Sequence, residues 1–488
     1  MFIKNKALLQ YPFFWSVCFM LLWSIFYFFW GEKITVNQGL GYDGVFYGRI
    51  TQNFDVFIEN KSFSSYYVNR ILPCGIVYIT LKTLGFSLSP PNIIHAFYIL
   101  NTLSWIVSLV FCHKIMKHYQ ISGNIQWLMT VLLLINFYVL KFIFYTPVLT
   151  DSMAFLVGTL LLWFYTKNNL YAIIPTGLLG GFVYPLFYVY TCILVVLPVN
   201  FKFKSEEKHI KNSIDYFITG FLVFLFAVVR MYIAYRIQHT LNIGFHLNTL
   251  LYAGTYSYVL YRILPSYAFI KENTKLFFEY FKQKTTLKRI LIAVVLLFVS
   301  TSVKLYLTQN PVMQNPKSIY LVKSLLGIDF NGALWLAEHF SGFGLIFVFI
   351  ILFLKKIHGT SIIQSAGFHA IVLIFCVLML QKELRVLTDI YAFMLLAVAL
   401  TLQNQNNVFT QRRYLFLFGI INLLLSKFFL SIENSSVFWS TTEKTWIHTN
   451  YGLSTYLMND NQYVVLLIVF LAVTGILYRV LIKKSSGE

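Results

Sequence analysis

The run YPFFWSVCFMLLWSIFYFFW, residues 11–30, decides the class of fold to which this chain belongs. It is twenty residues long and has no charged side chain, and an α-helix needs about 20 apolar residues to cross a bilayer core. Lys4 and Lys6 precede the run, as in a signal peptide, but no small-residue cleavage site follows it. The pattern therefore predicts a membrane anchor that the protein keeps.

The rest of the chain has the same character. Of 488 residues, 58% are hydrophobic and only 11% are charged, whereas soluble domains carry about 25% charged residues. Repeated apolar runs predict an all-α fold, a polytopic transmembrane helical bundle of about 11 to 14 spans. The run 170–198 contains Gly180, Gly181 and Pro185, which predict two short helices meeting near Tyr184. The other predicted spans are 11–30, 91–112, 125–145, 149–166, 214–236, 289–307, 341–355, 363–380, 386–402, 414–431 and 462–482, with a weaker one at 248–270.

The loops between these runs differ in charge on the two sides of the predicted bundle. Lysines and arginines gather in short loops on the side of the N terminus, and such loops usually lie in the cytoplasm. Acidic residues gather on the other side, so we expect cytoplasmic termini and extracytoplasmic loops at 31–90, 308–340 and 432–461. No soluble domain or low-complexity tract interrupts the chain, which predicts a single domain over 1–488. The net charge of +20 follows from this topology, and no nucleic-acid partner is expected.

Residues that commonly bind metals or form disulfides show no such pattern here. All five cysteines lie inside apolar runs, so neither a disulfide framework nor a zinc site is indicated. The ten histidines lack metal-ligand spacing, and no glycine-rich phosphate loop is present. We therefore expect no cofactor and no metal site, with dependence on a divalent metal left open.

The loop after the first span carries the chain's most distinctive motif. Residues 41–49, GYDGVFYGR, place a carboxylate, two tyrosines and an arginine at the predicted membrane edge, where an acid is costly unless it has a partner or a function. Asp43 could act as a general base or orient an acceptor hydroxyl, or it could cap the following helix. Tyr42, Tyr47 and Arg49 are candidate substrate-binding residues, the tyrosines by stacking on sugar rings.

Two segments of this loop predict helices that lie in the membrane interface. Residues 71–88 could form such a helix or a short span. Residues 45–58 have one apolar and one polar helical face, as in an amphipathic interfacial helix. The apolar face consists of Phe46, Ile50, Phe54 and Phe57, and the polar face of Arg49, Gln52, Asp55 and Glu59.

Two further polar residues lie at predicted outer boundaries. Arg70 could bind a phosphate, because a guanidinium group matches phosphate oxygens, or it could reach toward lipid head groups as an interfacial arginine. Asp151 opens a span and could line the same cavity as Asp43, whereas the preceding Thr150 is the expected cap of that helix.

Residues 381–391 form a charged turn between two late spans. Lys382 and Arg385 lie on the predicted outer side, against the positive-inside pattern, and could hold a lipid-linked phosphate. Alternatively, Arg385 could join Glu383 and Asp389 in a salt-bridge cluster that only stabilises the turn.

Taken in order, four short motifs resemble the C-type (GT-C) integral-membrane glycosyltransferases. They are GYDGVFYGR at 41–49, RILP at 70–73, Thr-Asp at 150–151 and ELR at 383–385. The architecture of many spans with interfacial helices in the first outer loop is similar over most of the chain. The resemblance implies an enzyme of the bacterial inner membrane that moves a sugar from a polyprenyl-phosphate carrier to an acceptor on the extracytoplasmic face.

The resemblance also implies roles for individual residues. Asp43 corresponds to the family's catalytic acid, and Arg385, assisted by Lys382 or Arg70, to its phosphate-binding basic residue, with Glu383 part of the same late motif. The chain departs from the pattern in having one acid in the Asp43 motif where several GT-C families have two. It also lacks a large outer C-terminal domain of the kind that oligosaccharyltransferases use to bind peptides.

Two functions from other classes remain as alternatives. The protein could be a flippase for a lipid-linked glycan, or a non-catalytic subunit of an envelope complex. A flippase should carry paired charges deep within several spans. Here only Arg230, Lys304 and Lys141 lie within or near spans, and the acids gather on one side, which favours one-sided chemistry.

Overall fold

The structure is a computed structural model, and it describes residues 12–41, 43–202, 213–238, 249, 253–254, 257, 267–312, 334–353, 365–379, 384–403, 412–426 and 460–479. Within these ranges the chain forms nineteen α-helices, several 3₁₀ and π turns, and no strand beyond an isolated bridge between Lys202 and Ser365. The helices are α1 (Pro12–Trp30), α2 (Asp43–Gln52), α3 (Phe54–Glu59), α4 (Ile71–Thr83), α5 (Pro90–His118), α6 (Gly123–Leu134), α7 (Ile143–Tyr145), α8 (Asp151–Thr166), α9 (Leu170–Gly180), α10 (Phe187–Val196), α11 (Ser213–Gln238), α12 (Tyr267–Phe281), α13 (Lys284–Leu307), α14 (Leu334–Phe343), α15 (Leu345–Phe353), α16 (Ala366–Leu378), α17 (Tyr391–Gln403), α18 (Arg412–Ser426) and α19 (Asp460–Tyr478).

The helices have the apolar character that a bilayer demands. Three of those described, α1, α5 and α13, are long and apolar enough to cross a membrane. The segments Gly123–Leu134 and Tyr138–Tyr145 form a further candidate, which is bent by 53°. Other apolar helices have 10–17 residues. Because lipid offers no hydrogen-bond partners, helices that pair their own backbone are the expected result, and the predicted all-α helical bundle is confirmed.

The apolar run 170–198 forms a hairpin of two short helices, as predicted. Helix α9 ends at Gly180 and α10 begins at Phe187, so the tip of the hairpin, residues 181–186, contains Tyr184. At Gly181 a Cβ would collide with the ring of Tyr188, because that ring packs directly on the backbone of the tip. The same tip accepts a backbone hydrogen bond of 3.0 Å from Leu72, which fastens it to α4.

Two predicted spans are broken in the structure. The segment 125–145 is divided between α6 and α7, with a bend of 53°. The segment 341–355, predicted as a single span, is divided between α14 and α15 at Gly344, whose φ is +67°. The backbone N–H of Leu345 donates to Oδ1 of Asn422 at 2.8 Å, and a Cβ at Gly344 would collide with that amide. Because Asn422 of α18 lies this close to the backbone, the helix breaks at residue 344 and that residue has to be glycine.

The first predicted loop folds into a small helical cap. The predicted amphipathic helix is divided at Asn53 into α2 and α3. Of its predicted apolar face, Ile50 and Phe57 are buried within the protein, whereas Phe46 is exposed. Helix α4 has 13 residues, about 20 Å, which is too short to cross a bilayer core. The cap has its own hydrophobic core with Phe63 at its centre, and this core includes Leu307 at the end of α13.

Two predicted segments lie mostly outside the described residues. They are the weaker span at 248–270 and the loop at 432–461. Of the predicted loop 308–340, the structure describes 308–312 and the start of α14 at 334. The end of the bundle that carries the helical cap is called the Asp43 end below.

Candidate functional site

The centre of the candidate site is an ion pair between the first residue of α2 and a late 3₁₀ turn. Nη2 of Arg385, in the turn Leu384–Leu387, donates to Oδ2 of Asp43 at 2.7 Å. The Arg385 side chain is 7% exposed and that of Asp43 is 31% exposed. The two residues are 342 positions apart in the chain. A short, charge-assisted bond in partly shielded surroundings is stronger than a pair on an open surface.

Glycines of the GYDG motif explain how α2 reaches this position. Gly41 has a φ of +80°, a left-handed conformation that glycine adopts without strain, just before the helix begins. Gly44 lies against the segment that leads into α8, where an added Cβ would be 3.0 Å from the carbonyl oxygen of Val148. The start of α2 therefore packs closely on Val148, which brings Asp43 to the N-terminal end of α8.

A second arginine is held rigidly beside Asp43. Arg70 is buried, and its Nη1 donates to the hydroxyl of Tyr47 at 2.7 Å. Its guanidinium carbon lies 5.1 Å from the ring centroid of Tyr66 and 5.1 Å from that of Tyr184, in two cation–π contacts. Arg70 is thus not an interfacial arginine that reaches toward lipid head groups. It belongs to the same site as Asp43.

Tyr47 has a different role from the one predicted. Its ring is fully buried and forms a T-shaped pair with Tyr67, so no face is open for stacking on a sugar. Burial raises the pKa of Tyr47 well above its usual value, so the hydroxyl is neutral and can accept the hydrogen bond from Arg70. Tyr47 therefore positions Arg70.

The electrostatics of Asp43 are set by its two arginine neighbours. Burial alone would raise the pKa of Asp43, but the positive charges of Arg385 and Arg70, with the hydrogen bond from Arg385, lower it below its usual value. Asp43 is therefore a carboxylate at neutral pH. Asp43 therefore lies between the charges of two guanidinium groups.

Two more carboxylates lie on the bundle side of Arg385. Asp151 is the first residue of α8 and is buried, and Asp389 is 1% exposed. The hydroxyl of Tyr190 donates to Oδ2 of Asp389 at 2.9 Å. Tyr138 lies close enough to Asp151, Asp389 and Arg385 for their charges to act on it. The predicted placement of Asp151 near the Asp43 site agrees with this geometry.

Sequence reasoning misses several residues of this site. It treats Asp389 only as a brace of its turn, yet this residue joins that turn to α10 through Tyr190. Its backbone carbonyl packs against Gly158 of α8, where a Cβ would collide with it. The only feature of the sequence that could have identified Asp389 as a site residue is its position as a carboxylate at a span boundary. For Tyr190 and Tyr138 no signal separates them from the many other tyrosines in apolar helices.

Lys141, one of the basic residues that the sequence places within or near a span, forms an ion pair at the Asp43 end. Nζ of Lys141, buried in a π-helical turn over Tyr138–Phe142, lies 2.8 Å from the carboxylate of Glu32, just after α1. In the same turn the carbonyl of Leu140 accepts a hydrogen bond of 2.9 Å from the indole of Trp23. Lys141 is thus paired at the end of the bundle, and Glu32 is the partner that sequence reasoning does not identify.

Other predicted site residues lie elsewhere. Arg49 is exposed and lines an open polar cavity of about 730 Å³ together with Asn53, Lys61 and Asn310, so the structure does not bring it to Asp43. Thr150 holds the N-cap position of α8, but its side chain makes no capping hydrogen bond. The remaining predicted residues, Tyr42, Lys382 and Glu383, lie outside the described ranges.

Within the described part of the chain, no three histidine, cysteine, aspartate or glutamate side chains converge on a point that could hold a metal ion. Comparisons with protein families, with curated protein sequences and with solved structures find no match to this chain.

Proposed function

We propose that this protein is a membrane-embedded glycosyltransferase that takes a sugar from a polyprenyl-phosphate donor and passes it to an acceptor on the extracytoplasmic face. The observation that carries the proposal is the group Asp43, Arg70 and Arg385 at one end of an apolar helical bundle. Such a site suits a donor whose reacting phosphate stays attached to a lipid, because the phosphate can reach buried cations without leaving the bilayer.

The arginines suit the phosphate of the donor. A guanidinium group offers five N–H donors in a planar fork that matches phosphate oxygens. Arg70 uses one donor on Tyr47 and is held between the rings of Tyr66 and Tyr184, so its orientation is fixed before a ligand arrives. When the bond between the sugar and the phosphate breaks, negative charge grows on the departing phosphate, and fixed cations stabilise that charge.

Asp43 suits the acceptor hydroxyl. The hydroxyl oxygen attacks the anomeric carbon, the bond from this carbon to the phosphate oxygen breaks, and the hydroxyl proton passes to a base. In the structure, the Asp43 carboxylate accepts a hydrogen bond from Arg385. A donor phosphate that binds Arg385 displaces this contact, which frees Asp43 to hold the acceptor hydroxyl. Losing the hydrogen bond from Arg385 also raises the basicity of Asp43, so it becomes a better proton acceptor as the donor binds.

A lipid-linked glycan flippase has less support. Three ion pairs join side chains that the structure describes, namely Asp43–Arg385, Lys141–Glu32 and Asp55–Lys82. Each includes a residue between 32 and 55, so these pairs gather at the Asp43 end instead of following a path through the bilayer.

Binding of a polyprenyl phosphate tests the proposal. The purified protein in lipid nanodiscs is titrated with a fluorescent polyprenyl phosphate, and transfer is assayed with polyprenyl-phosphate-linked sugars. Arg385→Lys and Arg385→Ala should both weaken binding, because lysine lacks the planar fork. A matched control is Arg289→Lys, since the guanidinium of Arg289 bonds the carbonyl of Val195 in another part of the bundle. Equal affinity in wild type, Arg385→Lys and Arg385→Ala would remove Arg385 from the proposed site.

A further inference from the structure

Asp389 is a buried carboxylate that takes no part in the chemistry proposed above. It lies two residues before α17 and is 1% exposed. Its Oδ2 accepts a hydrogen bond of 2.9 Å from the hydroxyl of Tyr190, which is also 1% exposed. Replacing both partners of such a buried bond with apolar groups of the same shape can be nearly neutral for stability. Packing alone therefore does not account for a carboxylate at this position.

On one side, this hydrogen bond reaches Arg385 through the backbone of its turn. The carbonyl of Arg385 accepts hydrogen bonds from the hydroxyl of Thr388 at 2.7 Å and from its backbone N–H at 3.2 Å. Asp389 follows Thr388 directly, and its own carbonyl packs against Gly158 of α8. Because Asp389 is held both at its side chain and at its carbonyl, it fixes the end of the turn that presents Arg385.

On the other side, the same hydrogen bond reaches Arg70 through the hairpin tip. The backbone N–H of Tyr190 donates to the carbonyl of Leu186 at 3.0 Å, and that of Phe187 donates to the carbonyl of Tyr184 at 3.2 Å. Tyr184 and Tyr190 thus belong to one continuous hydrogen-bonded segment at the start of α10. The ring of Tyr184 packs on the guanidinium of Arg70 at 5.1 Å. A displacement of Tyr190 would therefore move the surface on which Arg70 rests.

The positions of the two arginines matter together, because the charges of both act on the carboxylate of Asp43. We infer that the hydrogen bond from Tyr190 to Asp389 sets the position of Arg385 relative to Arg70. Tyr190 and Asp389 are thus positioning residues for the donor phosphate. This inference rests on the proposed function, because it takes a lipid-linked phosphate as the ligand of Arg385. A planar guanidinium fork has to be oriented to bind two phosphate oxygens, whereas a flexible ammonium group does not.

The test removes the hydroxyl of Tyr190 and keeps its ring. The affinity of the full-length protein in nanodiscs for a fluorescent polyprenyl phosphate is measured for wild type and Tyr190→Phe. At metal sites, losing a group that orients a ligating side chain typically costs about 10–100-fold in affinity, and we expect Tyr190→Phe to weaken binding about tenfold.

A matched control comes from a second buried tyrosine that joins distant parts of the chain. Tyr165 is also 1% exposed, and its hydroxyl lies 3.1 Å from Oγ of Ser365 and 3.0 Å from the carbonyl of Leu197. Tyr165→Phe removes the same group from a contact that involves neither arginine, so it should keep the wild-type affinity. Thermal unfolding of both variants shows whether they are folded and how much stability each has lost.

Two further comparisons separate orientation from stability. If the hydrogen bond acts by orienting the guanidinium fork, Tyr190→Phe should change the affinity of an Arg385→Lys protein by less than about twofold, which is the error of additivity between independent sites. Asp389→Asn keeps an oxygen that can accept the bond from Tyr190, and it should bind with close to the wild-type affinity. Asp389→Leu removes the acceptor and should lose as much affinity as Tyr190→Phe.

The outcomes separate the inference from the proposed function. Wild-type affinity in Tyr190→Phe, or an equal loss in Tyr165→Phe, would overturn the inference. So would an equal loss from Tyr190→Phe in the wild-type and Arg385→Lys backgrounds, or a loss in Asp389→Asn as large as that in Asp389→Leu. In each of these cases the proposed function stands if Arg385→Ala binds weakly. If the wild-type protein binds no polyprenyl phosphate, the proposed function itself fails.

Discussion

Replacing Asp43 with asparagine removes a negative charge from the site while the shape of the side chain is kept. The carboxylate holds Arg385 at 2.7 Å, with the arginine 7% and the aspartate 31% exposed. A hydrogen bond to a charged group contributes about 1.5–3 kcal/mol. With asparagine the bond keeps the charge of Arg385 but loses the attraction between two opposite charges. Since asparagine can still accept the bond, we expect Asp43→Asn to lower the free energy of unfolding by about 1–2 kcal/mol, and the protein to remain folded.

The same substitution should strengthen the binding of a polyprenyl phosphate and weaken sugar transfer. In the wild type, the carboxylate competes with a phosphate for Arg385, and asparagine competes less. A difference of about 1 kcal/mol in this competition corresponds to about fivefold tighter binding of a polyprenyl phosphate. Transfer should fall strongly, because the group that holds the acceptor hydroxyl has lost its charge. Tighter binding together with lost transfer cannot result from general misfolding.

The assay compares wild type, Asp43→Asn and Asp55→Asn in nanodiscs, with polyprenyl-phosphate affinity and sugar transfer measured on the same samples. Asp55 is a matched control in the same helical cap, where it forms an exposed pair of 3.6 Å with Lys82. Such an exposed pair contributes little to stability, so Asp55→Asn should change neither polyprenyl-phosphate affinity nor sugar transfer. Asp43→Asn with wild-type transfer, or with weaker binding of the lipid phosphate, would refute the reasoning.

Three further predictions follow from the same geometry. The pKa of Asp43 is lower in the folded protein than its usual value, so its contribution to stability is complete above the unfolded pKa of about 3.9 and is lost as the pH falls through the folded pKa. Thermal unfolding of wild type should therefore lose more stability than that of Asp43→Asn below about pH 4, and identical pH dependence in both proteins would contradict this. Gly44→Ala should reduce transfer, because the new Cβ would meet the carbonyl of Val148 at 3.0 Å and shift the start of α2. Gly123→Ala, where a Cβ has open space, is its control, and equal transfer by both would show that the close packing of α2 is not required. Finally, a cysteine at Asn310, which lines the open polar cavity, should react with a membrane-impermeant thiol reagent in intact cells, whereas labelling only after lysis would place the Asp43 end in the cytoplasm.

Arg49 shows the limit of reasoning from a motif. The motif 41–49 suggests one group of neighbouring side chains, but its last seven residues belong to α2. On a helix with 3.6 residues per turn, residues six apart point in clearly different directions. Asp43 therefore points toward Arg385, whereas Arg49 lines a separate cavity. The predicted amphipathic helix begins at residue 45, so the sequence pattern does not place Asp43 and Arg49 on one helix; the observed helix begins at Asp43.

The sequence by itself determined the class of fold and the hairpin at 170–198. Lipid forces each backbone group to find its partner within its own helix, so apolar runs and helix-breaking residues such as Gly181 and Pro185 are sufficient signals. These are local effects, and a local pattern records them.

Only the tertiary structure decided which polar residues meet. The contact between Asp43 and Arg385 joins positions 342 residues apart, and it depends on the packing of Gly44 against Val148. The break at Gly344 likewise depends on Asn422 from a different helix. Contacts of this kind come from close packing between helices, and the apolar composition that is enough to make each helix does not specify which of its faces meets which neighbour.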